Sequence, residues 1–331
     1  MIRKRVEQVL SPRIRVLVVG EMILDEFIWG KVSRISPEAP VPVVEVIKES
    51  YNAGGAANVA RNLRELIDHV HMLGLAGHDH DAKVLHDLLV EQGIDLDCVE
   101  TDPTFRTIRK TRVVARTQQV VRVDREQRMA FTDAQRDRVL TRFRGLLPNL
   151  DAIVIEDYDK GLIDQALVDA IVSEAKSAGK IVCVDPKPSN PIQWKDVTSV
   201  TPNRVEAFKC AGVPLRDPVE PAIEDSALLE VGKILLEKWR CSYVLVTLSE
   251  QGMMLFQEGE APYHIPTRAV EVFDVSGAGD TAIAAFTAAL AGGATASEAA
   301  EIANHASGIV VGKLGTAVVH RAELLESFAE E

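Results

Sequence analysis

Residues 274–281 read Asp-Val-Ser-Gly-Ala-Gly-Asp-Thr and run into an alanine-rich stretch from Ala282. Two glycines let backbone N–H groups close on a ligand, and the helix start that follows adds a positive dipole end. Such a loop suits an anion, typically a phosphate. Asp280 is the odd member, because a carboxylate repels phosphate. It makes sense as the acceptor of a proton from an attacking hydroxyl, as the bases of kinases are. The plainer reading is a glycine-rich helix start with Asp280 stabilised by the dipole. A dinucleotide loop fits less well. Gly277, Gly279 and Ala282 satisfy G-x-G-x-x-A, but no clear strand precedes them and no acid stands at a strand end about 20 residues on.

A second glycine site, Asn52-Ala53-Gly54-Gly55-Ala56-Ala57-Asn58, precedes a helix expected over residues 56–66. Small residues admit a polar ligand closely, and Asn58 offers a hydroxyl both a donor and an acceptor. Tight helix–sheet packing would use the same letters. Asp25, just past the first strand, fits the carboxyl-end crevice where open α/β sheets bind ligands; a solvated turn carboxylate is the simpler account. Residues 106–125 hold seven basic side chains against Asp124 alone, a local charge of +6. Lys110, Arg112 and Arg116 share strand parity and hence one face if no bulge intervenes.

Two motifs are set aside. Residues 308–314 have one residue too few between glycines for a P-loop and no Ser or Thr after Lys313. His78-Asp79-His80-Asp81 alternates in direction without a distant third ligand, so a loop or helix start is expected there instead of a metal site.

The elements that must hold these residues alternate. Apolar strand runs at 14–20, 152–155, 180–184, 197–201 and 243–247 are separated by helical periodicity at 165–178, 204–210 and 227–239. That rhythm predicts a parallel sheet covered by helices on both faces. Residues 41–47 and 109–124 break it with polar alternation, predicting a small antiparallel sheet inserted as a lid.

Length and charge narrow the partners. The 331 residues allow one large α/β domain or two domains, and a net charge of −12 repels nucleic acid and anionic membranes. The N-terminus has no apolar segment with a cleavage site, so the cytoplasm is expected. Residues 282–296 are too short to span a bilayer and are expected to form a buried helix. Cysteines 98, 183, 210 and 241 are far apart and are read as reduced core residues.

The two glycine signatures in this order, GGAANVARNL and DVSGAGDT, with the α/β rhythm and the lid, resemble the ribokinase-like (PfkB) carbohydrate kinase family over essentially the whole chain. Val275 stands where the family usually has Thr, which leaves Asp280 and the glycines untouched. Residues 33–46, 118–124, 156–161 (EDYDKG), 184–187 (VDPK), 201–206 (TPNRVE) and 309–317 are similar to a branch that acts on a heptose 7-phosphate. The resemblance implies a three-layer α/β sandwich with a mostly parallel central sheet. It implies one kinase domain over residues 1–331, with lid segments near 31–50 and 104–125. The implied reaction carries the γ-phosphoryl of ATP, with Mg²⁺, to the anomeric O1 of D-glycero-β-D-manno-heptose 7-phosphate. Its product would be the 1,7-bisphosphate used for ADP-heptose and lipopolysaccharide core synthesis. Many members of that branch are fused to a nucleotidyltransferase; a chain ending at Glu331 is expected to be the kinase alone.

Carried over by position, Asp280 is the base, and the backbone of Gly277, Ala278 and Gly279 forms an anion hole. Asn203 and Glu206 match an N-x-x-E motif that holds Mg²⁺ and phosphates, Glu206 through water. Thr247, Ser249, Gly252 and Asn304 match nucleotide positions. Asp25, Gly54, Gly55 and Asn58 match sugar positions. The substrate phosphate is assigned to Lys110, Arg112 and Arg116, with Arg34, Lys160 and Lys187 as further candidates. A homodimer through the lid is expected, because residues 41–46 form an apolar strand edge. The competing readings are a kinase of the same fold for another sugar or a nucleoside, which would not need the cationic lid, and a binding protein without turnover, which would not need Asp280.

Overall fold

In the strand Arg15–Gly20 (β1), Val16 and Val18 join one hydrophobic core while Leu17 and Val19 join another. Strand Ala152–Glu156 (β8) divides the same way, with Ala152 and Val154 opposite Ile153 and Ile155. Side chains alternate across a strand, so a sheet that is apolar throughout needs a cover on each face. The computed structural model, which describes residues 3–116, 118–268, 272–313 and 315–329, shows those covers.

The remaining strands are Met22–Ile35 (β2), Pro42–Gly55 (β3), His69–Ala76 (β4), Asp95–Thr101 (β5), Ile108–Ala115 (β6), Gln118–Arg125 (β7), Ile181–Asp185 (β9), Ser199–Val200 (β10), Tyr243–Thr247 (β11), Met253–Gln257 (β12) and Tyr263–Ile265 (β13). The large sheet has nine strands in the order β13-β12-β11-β10-β9-β8-β1-β4-β5 among the described residues. It is parallel from β11 to β5, and β12 and β13 add an antiparallel edge. Helices Arg3–Val9, Ala56–Leu66, His80–Glu91, Ala278–Ala291, Ala296–Val311 and Arg321–Glu326 contribute to one core. Helices Asp133–Leu146, Gln165–Ser177, Arg204–Ala211 and Ser226–Trp239 contribute to the other.

The α/β sandwich is the expected one, and the expected helices at 165–178, 204–210 and 227–239 agree to within one residue at each end. The run at 197–201 shortens to Ser199–Val200. Residues 282–296 are not one helix, since Ala278–Ala291 stops before Gly292 and a new helix starts at Ala296. No helix among the described residues is long and apolar enough to cross a membrane. The cysteines are free, three of them buried and Cys210 half-buried.

The small sheet has the order β3-β2-β6-β7. β2 and β3 pair antiparallel from Met22 opposite Gly55 to Ile35 opposite Pro42, and β6 and β7 form an antiparallel hairpin. β2 and β6, however, run parallel, so the sheet is mixed and not wholly antiparallel. The chain returns to β6 only after crossing the large sheet twice, and such a crossover permits a parallel neighbour where a hairpin would not. The small sheet also starts earlier than expected. Glu21 alone separates β1 from β2, and Asp25 is a buried strand residue instead of a turn carboxylate.

Candidate active site

The parallel strands deliver a row of polar residues at their carboxyl ends, where open α/β sheets form their ligand crevice. Glu21 follows β1, Glu156 ends β8 with Asp157 and Tyr158 after it, Asp185 ends β9, and Thr247 ends β11. Asn203, beyond β10, bridges in parallel to Thr247.

Helix Ala278–Ala291 points its N-terminus into this crevice. Gly277 is its N-cap in the left-handed conformation, φ 82°, and no side chain caps the helix. A Cβ at Gly277 would stand 2.9 Å from Asn58 Nδ2, so both conformation and space require glycine. Asp280, in the first turn, is half-buried among polar partners. Asn58 Nδ2 donates to Oδ2 at 2.6 Å and the Tyr158 hydroxyl donates to Oδ1 at 3.1 Å. Burial pushes the Asp280 carboxyl above the usual range, and the two donors oppose that rise.

Asp25 lies beside this group, and a Cβ at Gly54 would collide with its Oδ2. Gly55, at φ 60°, turns β3 into the helix Ala56–Leu66, whose first N–H donates to the Glu21 carbonyl at 3.0 Å. Asp25, Gly54, Gly55 and Asn58, the residues expected to receive a sugar, therefore adjoin Asp280.

Asn203 and Glu206 form a capping box on helix Arg204–Ala211, and Glu206 Oε1 also accepts from Lys187 Nζ at 2.9 Å. The motif thus has a structural job of its own. Behind it, burial pushes the carboxyls of Glu156 and Asp185 well above their usual range, with repulsion from Asp185 adding to the first and from Glu206 to the second. Glu156 Oε2 is buried without a hydrogen-bond partner. A divalent cation nearby would relieve this field. Among the described residues no three His, Cys, Asp or Glu side chains converge to hold a metal by themselves. Glu156, Asp185 and Glu206 are hard oxygen donors, the kind that Mg²⁺ takes together with water and phosphate oxygens.

On the small sheet, the condition on parity is met for Lys110 and Arg112 but not for Arg116, since β6 ends at Ala115. The extra residue, Val120, lies in β7, so β6 alternates without interruption. Arg112 donates to Asp25 Oδ1 at 2.6 Å and lies over the Phe27 ring. Lys110 Nζ lies 5.9 Å from the Tyr158 ring centroid. Arg116, at φ 58°, has left the strand. With Phe27, Trp29 and Arg112 it lines a cavity of about 320 Å³ that reaches Asp274, Ser276 and Thr316.

The +6 segment is not a pool of free cations. Arg109 pairs with Asp81 at 3.0 Å on the other face, and Arg122 pairs with Asp124 at 2.9 Å. Lys160 pairs with Glu126 at 2.7 Å. Arg34 is exposed, nine residues beyond Asp25 on β2, roughly 30 Å along the strand, and is not gathered with the others.

Thr247 closes β11, Ser249 opens a tight turn at φ 54°, and Gly252 ends that turn at φ 86°. Asn304 is buried and its Nδ2 donates to the Pro266 carbonyl at 2.8 Å, so in this structure it holds the residues after β13. His78–Asp81 is the expected helix start, with Asp79 accepting from Ala82 N at 2.8 Å. The cavity beside it, about 420 Å³, is floored by Met22, Leu85, Leu89 and Leu96 and contains none of the candidate residues. Sequence reasoning assigned no role to Glu21, Glu156, Tyr158 or Asp185. Charged groups ending apolar strands were the available signal for the three acids.

The family model of pfkB carbohydrate kinases matches residues 13–321. The chain is 41% identical over 332 residues to the bifunctional protein HldE of Pelobacter propionicus, covering 99% of this chain and 66% of that protein. It is 42% identical over 312 residues to the HldE of Vibrio cholerae, covering 94% and 63%. The chain thus spans less than two thirds of these relatives' length. Among solved structures, phosphofructokinase-2 from Escherichia coli in complex with substrates and products superposes with TM-score 0.75 at 18% identity, covering 96% of this chain and 99% of that one. Arabidopsis thaliana ribokinase complexed with ribose and ATP gives 0.72 at 20% identity, covering 95% and 99%. At those identities the likeness concerns the fold, which is ribokinase-like.

Proposed function

The chain belongs to the pfkB family of carbohydrate kinases, and from that premise we propose that it transfers the γ-phosphoryl of ATP to the anomeric O1 of D-glycero-β-D-manno-heptose 7-phosphate. The product is the 1,7-bisphosphate, a precursor suited to nucleotide activation in heptose metabolism. The observation that carries the reading is the 320 Å³ cavity lined by Arg116 and by Arg112, the partner of Asp25, and bounded by Asp274 and Ser276 of the glycine loop. Such a volume fits a small ligand, and its cations suit an anionic end.

In this reading Asp280 takes the proton from O1 as it attacks. The N–H groups of Gly277 and Gly279 stabilise the transferring phosphoryl, each such donor being worth on the order of 3 kcal/mol in the transition state; the Ala278 N–H, which donates here to the Val275 carbonyl at 3.2 Å, joins them only by turning from it. Glu206, supported by Asn203, would hold Mg²⁺ by way of water, and the bound ion would supply neutralisation of phosphate charge. Asp25, Gly54, Gly55 and Asn58 receive the sugar. Thr247, Ser249, Gly252 and Asn304 surround the nucleotide.

Purified protein with ATP, Mg²⁺ and this heptose 7-phosphate should give a second sugar-phosphate resonance, that of an anomeric phosphate, in ³¹P NMR. No bisphosphate, or turnover of unphosphorylated sugars alone, would overturn the reading.

The small sheet serves as a lid, and two lids pair in a homodimer. Exposed Val41, Val46 and Ile47 at the β3 edge and Val121 and Val123 at the β7 edge support this, since bare apolar edges invite pairing. Sedimentation at micromolar concentration should show a dimer; monomer alone would rule the pairing out.

A further inference from the structure

Glu21 is the single residue between β1 and β2 and is buried. Its Oε2 accepts from Tyr158 N at 3.0 Å, and its Oε1 accepts from Lys160 N at 3.1 Å and Leu162 N at 3.2 Å. Three main-chain donors from one loop thus converge on one carboxylate. The loop is pinned on its other side as well. Asp157 accepts from Asp159 N at 2.8 Å and from Asn190 Nδ2 at 3.0 Å, and Arg128 donates to Asp159 Oδ1 at 2.6 Å. Asp159 and Gly161 take the positive φ values, 55° and 100°, that wrap it around Glu21.

This loop carries Tyr158, whose hydroxyl meets Asp280 Oδ1. The other oxygen is held by Asn58, whose own carbonyl oxygen faces Arg61 Nη1 at 3.5 Å, which orients the amide so that Nδ2 points to Asp280. A carboxylate offers about four lone-pair positions. Asn58 and Tyr158 take one on each oxygen and the Asp280 N–H also reaches the carboxylate, which leaves room for an incoming hydroxyl.

We propose that Tyr158 is a positioning residue for the base: the Glu21-held loop presents its hydroxyl to Asp280 Oδ1 and, with Asn58 opposite, fixes the plane of the carboxylate against the acceptor. This rests on Asp280 being the base. The charges that reach the pair from neighbouring elements are Asp25 on β2, Glu156 on β8 and Asp185 on β9, with Lys110 of β6 over the phenol ring. A donor to the ionised carboxylate favours that form, so removing it makes Asp280 harder to ionise.

Tyr158→Phe keeps the ring under Lys110 and deletes the donor. In aspartate ¹³C-carboxyl NMR, with the Asp280 resonance assigned by its loss in Asp280→Asn, the midpoint should rise by about one pH unit in Tyr158→Phe. With ATP and the heptose 7-phosphate, kcat should fall about tenfold and the acidic limb of its pH profile should move upward, with the KM for ATP unchanged. An unmoved midpoint and limb would overturn the proposal. If the variant does not fold, 3-fluorotyrosine at position 158, a stronger donor of nearly the same size, should move both downward, and no movement would overturn it equally. A moved midpoint with unaltered kcat would count against Asp280 as the base while leaving the contact standing.

Discussion

Asp280→Asn should lower kcat by roughly 10²–10⁴-fold, the usual contribution of a positioned general base, and leave ATP binding intact. The substitution preserves volume, and its amide can donate to the Tyr158 hydroxyl, which also accepts. Only the proton acceptor is lost. Single-turnover transfer from ATP and isothermal titration with ATP separate the chemical step from binding; transfer at the parent rate would end the assignment. The pH dependence follows in sign. A base must be anionic, and burial raises the Asp280 carboxyl above the ordinary range, so the parent's kcat should decline as pH falls, at a higher pH than an ordinary carboxylate would impose.

Asp280 stood out in the sequence because its chemistry conflicts with its neighbours, a carboxylate inside a loop suited to anions. Tyr158 did not, since its hydrogen-bond partner lies 122 positions away and no local pattern announces it. The fold divides similarly. β1 and β11 are short, apolar and bounded, whereas β2, MILDEFIWGKVSRI, is buried over its first half and mostly exposed over its second. No single period describes such a strand, and Asp25 inside it reads as a turn carboxylate just past the first strand. The parity of the β6 cations was readable, yet their occupation was not. Arg112 is committed to Asp25, 87 positions away, and Arg109 to Asp81 on the opposite face.

That occupation decides which cations can receive a substrate phosphate. Arg112 neutralises Asp25, whose side chain is 6% exposed. Removing it would strand a buried charge and damage the sugar site itself. Lys110 and Arg116 flank it and, among the described residues, have no carboxylate within ion-pair distance. Burial lowers the Lys110 ammonium from its usual value, a cost that an arriving phosphate would relieve. The double variant Lys110→Met, Arg116→Met should therefore raise the KM for the heptose 7-phosphate by roughly 10–100-fold, since one charge-assisted hydrogen bond is worth about 1.5–3 kcal/mol. The KM for ATP should stay at the parent value. Arg112→Met should instead depress kcat along with acceptor binding, because Asp25 is left uncompensated beside Asp280. An unchanged acceptor KM in the double variant would mean that these cations do not hold the phosphate, and an acceptor without a phosphate would then become the better reading of the site.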